Sequence, residues 1–177
     1  MDMKKLTSVF MMMAVIVAAV FLSGCNRHDE PEREVYVPII YQFNQESVIV
    51  DLDYLSENEP EIWDQLKSLH FHTFVVNDAH EFPSCDLIKE NWGENIDFSD
   101  KTVIINYELC SYPVVGHRYA WVYDRMDKTY SFWTTNLTDG DRLLDDAKAC
   151  LVRNAIMVNK ISPSVHVTSV FSSPSHI

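Results

Sequence analysis

The chain has 177 residues, 47% of them hydrophobic, with 26 acidic against 14 basic residues and a formal net charge of −12. That length suits one domain with enough apolar material for a real core. Such an acidic surface repels phosphate backbones and anionic lipid headgroups, which excludes nucleic acid as a partner.

In chain order the first element is apolar. Lys4 and Lys5 precede an unbroken run from Val9 to Leu22, 14 residues long, and then the small residues Ser23 and Gly24 before Cys25. The run is too short to span a bilayer comfortably and has the layout of a signal peptide. Leu22-Ser23-Gly24-Cys25 resembles a bacterial lipobox. The resemblance implies a lipoprotein signal peptide over residues 1–24, diacylglyceryl transfer to Cys25, cleavage before it, and acylation of the new amine with a chain such as palmitate. Several acyl chains anchor far more firmly than one, since each buried CH2 adds about 0.8 kcal/mol. The membrane is therefore an expected partner, through lipid and not through charge. Asn26 follows the cysteine, where an Asp resembles the inner-membrane retention signal of enterobacterial lipoproteins; its absence implies the outer membrane. Asp29-Glu30 resembles the acidic export tag of Bacteroidetes surface lipoproteins, and periplasmic and surface-exposed orientations both stay open. Without residues 1–24 the chain keeps 25 acidic and 12 basic residues, a net charge of −13.

Residues 25–34 read as the lipidated cysteine and a polar tether containing Pro31, and 35–177 as a single globular domain. Val35, Val37, Ile39, Tyr41 and Phe43 alternate as a strand, with Pro38 pointing to a sheet edge. Val48, Val50, Leu52 and Tyr54 alternate again. Ser56-Glu57-Asn58-Glu59-Pro60 has the chemistry of a helix start, and Ile62, Trp63, Leu66 and Leu69 give the helix one apolar face. Residues 69–76 read as a strand, 78–92 as irregular around Pro83, and 101–109 as the most deeply buried strand. A hairpin is expected from 119–124 and 130–135 around Arg125-Met126-Asp127-Lys128. Asp139-Gly140-Asp141 then turns into a short helix with Leu143, Leu144, Ala147 and Leu151 as its stripe. Strands at 154–161 and 165–171 complete the domain, with a frayed tail from Ser172. The class is α+β, a mostly antiparallel β-sheet with one or two short packed helices.

Three stretches, N-D-A-H-E-F-P at 77–83, I-D-F-S-D-K-T-V-I-I at 96–105 and A-I-M-V-N-K-I-S-P at 155–163, resemble a group of small Bacteroidetes lipoproteins of unassigned activity. The resemblance implies location and fold type and carries no mechanism.

Four constellations are candidates for chemistry. His70 and His72 share a face if they lie in a strand, and could hold a metal with a third ligand from His80, Glu81, Glu108 or His117. Asp139 and Asp141, with Asp145 and Asp146, could hold Ca2+, although they lack the ligand series of an EF-hand loop and a turn into a capped helix explains them more simply. Tyr119, Trp121 and Tyr123 share one face of the hairpin, and a tight turn sets Tyr130 and Phe132 opposite them. Such a five-ring patch is either a ligand-binding platform for a glycan or a packed core. Cys85, Cys110 and Cys150 allow one disulfide in an oxidising compartment, and Cys85–Cys110 closes the short loop. The usual nucleophile, phosphate-loop, zinc-protease and dinucleotide fingerprints are missing, so no cofactor is expected. The expected role is a lipid-anchored envelope protein acting as a non-enzymatic binding or accessory module for a protein or glycan. The alternatives are a metal-dependent hydrolase built on His70 and His72, or a purely structural envelope protein.

Overall fold

A computed structural model describes residues 33–70, 72–88, 92, 96–138 and 143–176, with side chains as far as Ser172. The expected signal segment, Cys25, and residues Asp139, Gly140 and Asp141 lie outside the described residues. The globular unit starts at Glu34.

Strands β1 (Glu34–Tyr36), β2 (Tyr41–Gln42) and β3 (Glu46–Asp51) come first. Helix α1 (Leu52–Asn58) and helix α2 (Pro60–Leu69) follow, then β4 (Thr73–Val76) and a single 3-10 turn at Ala79–Glu81. The remainder is β5 (Lys101–Cys110), β6 (Val114–Asp124), β7 (Thr129–Thr138), β8 (Lys148–Asn159) and β9 (Val167–His176).

The strands form two sheets. In the central sheet β2 and β3 pair in turn with the same edge of β8, followed by β5 and β4. The outer sheet has the order β1-β6-β7-β9. Side chains alternate across the central sheet. Val103, Ile105, Tyr107, Leu151 and Ala155 pack with Leu55, Leu66 and Leu69 of the helices, while Ile104, Ile156 and Val158 pack with Trp121 and Phe132 of the outer sheet. The result is three layers: helices, central sheet, outer sheet. Six consecutive residues of β5, Thr102–Tyr107, are buried because that strand is covered on both faces.

The α+β class holds, with two corrections to strand direction and extent. The last strand is not antiparallel: β9 runs parallel to β7, Tyr130 facing Val167 and Thr138 facing His176. It therefore continues past Ser172 instead of fraying. The chain reaches this parallel position because β8 crosses into the other sheet between the two outer strands.

The expected helix at 143–151 is also overturned. Residues 143–145 carry no regular structure, 146–147 form a turn, and Lys148–Asn159 is strand β8 between β3 and β5. Leu144, Ala147 and Leu151 fall at helical spacing, but Ala149-Cys150-Leu151-Val152 is a continuous apolar run buried on both faces, and periodicity cannot separate the two. The start of the first helix moves as well. Asp51, not Ser56, caps α1, its carboxylate accepting the Tyr54 N–H at 2.9 Å. Pro60 opens α2 and forces Glu59 out of helical geometry, to φ −131°, which separates the two helices.

Candidate functional site

The hairpin forms with the expected register. Trp121 faces Phe132 and Tyr123 faces Tyr130. Asp124 closes its turn, accepting the N–H groups of Met126 at 2.8 Å and Asp127 at 3.0 Å, and Lys128 takes a left-handed backbone with φ 54°. The ring-bearing face turns inward. Trp121 is 1% exposed and Phe132 0%, both packed on Ile104 and Ile156 between the sheets. Trp121 stacks on Tyr130 at 4.9 Å, Tyr123 lies 4.7 Å from Tyr130, and Tyr119 meets Phe132 edge-on at 5.3 Å. Trp121 and Phe132 fill the interlayer with half-buried Tyr119 and Tyr130 packed against them, and half-buried Tyr123 meets that cluster through Tyr130, so the five rings do not form an open platform. A strand pair has two faces, and this one covers the side of the central sheet that the helices leave bare.

The histidine pair does not assemble as expected. Strand β4 starts only at Thr73; His70 ends α2 and bridges to Tyr107, and the His72 N–H donates to the Leu69 carbonyl at 3.0 Å in a turn. His70 is half-buried, which lowers its pKa, whereas His72 is exposed with its ring 4.6 Å from Phe74. The helix cap replaces the strand geometry that would have put both imidazoles on one face. Glu81 is engaged with the Asn77 N–H at 2.7 Å, and His117 stacks on Tyr119 at 4.1 Å. Among the described residues no group of three His, Cys, Asp or Glu side chains is placed to hold a metal ion. Of the calcium candidates, Asp145 pairs with Lys148 at 3.0 Å.

Cys85 and Cys110 lie on opposite faces of the central sheet. Cys85 belongs to the core under the helices, and Cys110 to a small cluster between the sheets with Cys150 and Val152. The short loop that favoured their pairing gives way to side-chain direction, and no disulfide joins Cys85, Cys110 or Cys150 among the described residues.

The arrangement that sequence reasoning missed is a polar seam running through the interlayer beside the rings. Gln45 donates from Nε2 to Asn136 Oδ1 at 2.9 Å and to Asn154 Oδ1 at 3.2 Å. The Tyr119 hydroxyl also donates to Asn154 Oδ1, at 3.0 Å. Asn154 donates in turn to Asn106 at 3.1 Å, Asn106 to Ser169 at 3.1 Å, and Thr73 to Ser169 at 2.6 Å. At the other end Asn136 Nδ2 donates to Glu108 Oε2 at 2.6 Å. Buried amides are tolerable only when partnered, and here each hands a hydrogen bond to the next. Burial pushes the Glu108 carboxyl up to about 7, moderated by a hydrogen bond from the Cys110 thiol. Burial, with Glu108 beside it, pushes the Cys110 thiol up to about 12, which suits an inert thiol and not a nucleophile. His117 Nδ1 and Thr134 Oγ1 are buried at this seam without a hydrogen-bond partner among the described residues. The signal was present as alternation: Asn106 and Glu108 on β5, Thr134 on β7 and Asn154 on β8 each share a face with an apolar neighbour two residues away, and Asn136 follows Thr134 on the same face.

On the helix side Arg153 is 1% exposed. Its Nη2 meets Glu46 Oε1 at 3.2 Å and its guanidinium carbon lies 4.3 Å from the centre of the Trp92 ring. The pair is structural in character, a buried cation held by a half-open carboxylate and a ring face.

No family model, no curated protein and no solved structure matches the chain.

Proposed function

We propose that the protein is anchored in the cell envelope, on the outer membrane, through lipid on Cys25, and serves there as a non-enzymatic binding or accessory module whose ligand is a protein. The observation that carries the choice of ligand is the distribution of exposed large apolar side chains. Of the nine exposed large apolar residues among those described, five, Tyr36, Ile40, Tyr41, Ile49 and Tyr54, fall in the first stretch of the domain, while Val115, Met126, Trp133 and Leu143 are scattered over later segments. Among the described residues β3 pairs only with β8, so the strand that carries Ile49 leaves N–H and C=O groups open along its outer edge. Exposed apolar surface and an open strand edge together suit an extended protein segment that adds to the sheet. The glycan reading loses its platform to the interlayer, and the hydrolase reading lacks an assembled metal-ligand set among the described residues.

A photo-reactive amino acid placed at Ile49 in whole cells tests the assignment. A discrete protein adduct is expected from Ile49, and none from Arg118, which is exposed on the outer sheet. Equal labelling at both positions, or none at Ile49, contradicts it.

A further inference from the structure

Cys110 ends β5 and Cys150 lies near the start of β8, and the antiparallel register sets them directly opposite each other. Opposed residues in a ladder share a face, and both cysteines point into the gap between the sheets, 5% and 2% exposed, with Val152, Val114 and Leu144 around them. Directly opposed residues have Cα atoms about 4.5–5.5 Å apart and Cβ atoms at about the same separation. A disulfide accepts Cα separations of about 4.4–6.8 Å and Cβ separations of about 3.5–4.5 Å. Closing the bond thus asks for a shift of no more than about 1 Å, at a strand end where the backbone is about to turn.

We propose that Cys110 and Cys150 are joined by a disulfide in the mature protein, formed while the chain folds. The oxidant is another disulfide, of a small thiol such as glutathione or of an exchange protein. One cysteine attacks it as the thiolate, releases one thiol and forms a mixed disulfide; the second cysteine displaces the other thiol. The protein loses two electrons and two protons, and the oxidant becomes two thiols. Cys85, buried on the far side of the central sheet, stays reduced.

The timing follows from the site. Once folded, both sulfurs are shut away from dissolved thiols and disulfides, Cys110 5% and Cys150 2% exposed, and the burial that raises the Cys110 thiol leaves it little thiolate. The bond is therefore made before burial and is hard to reduce after it. The loop it closes contains β6 and β7, so the link, made within the central sheet, fastens the base of the loop that carries the outer hairpin. Oxidising surroundings in the cell depend on the envelope location proposed above; the chemistry of the pair does not, so the two are tested separately.

The test uses the full-length chain with Cys25→Ser, which removes the acceptor thiol, unfolded in denaturant with reductant and refolded in detergent with glutathione and glutathione disulfide. After alkylation and trypsin digestion, the peptide of residues 102–118 is expected linked to that of residues 149–153, with Cys85 alone alkylated. The melting temperature is expected about 10 °C above that of the same chain refolded reduced, and Cys150→Ser is expected to show no such difference. Three alkylated cysteines in the refolded chain, or any link through Cys85, overturns the proposal.

Discussion

Glu108 is the residue whose protonation the fold alters most plainly. Its carboxyl is raised from 4.5 to about 7 by burial, so the folded protein holds a proton there that the unfolded chain releases near 4.5. Stability from this group is complete below about pH 4.5 and is lost as pH rises through about 7, the reverse of a salt-bridged carboxylate. Discounted for its partial exposure, the loss is on the order of 1–2 kcal/mol. Glu108→Gln keeps an oxygen for Asn136 and cannot ionise. Denaturant unfolding at pH 5 and pH 8 should therefore show the wild type weakening with pH by that amount more than the variant; a parallel pH dependence would contradict the account. None of this was legible in the sequence. Glu108 stood there only as a possible third metal ligand, because what raises its pKa is the outer sheet closing over it.

At the scale of elements, legibility depended on whether local chemistry or distant pairing decides. The hairpin was readable because its register is set locally, by alternation in β6 and β7 and by Asp124 at the turn. The apolar face of α2 was readable from Leu66 and Leu69 for the same reason. β8 was readable only in its second half, from Asn154 on; its first residues mimic a helical stripe and are strand because β3 and β5 flank them. Which face of the hairpin meets solvent was undecidable too, because a platform and a core want the same rings. The structure decides for core, and the consequence is energetic. Trp121→Ala empties a site that is 1% exposed and should cost about 3–5 kcal/mol, a large share of a marginal domain's stability. Calorimetry or urea unfolding measures it; a loss below about 1 kcal/mol would mean that the ring does not fill the interlayer.

For the whole molecule, the three layers leave few places for a ligand to act. The interlayer is filled, by rings at one end and by the amide seam at the other, and the helices cover the opposite face of the central sheet. Among the described residues the β3 edge with its exposed Ile49 stays open, and the Tyr36–Tyr54 stretch carries five of the exposed large apolar side chains. Under the proposed function, a strand edge of this kind needs no catalytic group to bind a protein partner in an envelope. The proposed lipid anchor at Cys25 is central to that function and is also the most accessible to test. Cells fed labelled palmitate and fractionated should carry label in the wild-type protein and retain it with the outer membrane, while Cys25→Ser carries no label and leaves the membrane fraction. Unlabelled wild-type protein, or label that persists in Cys25→Ser, contradicts it.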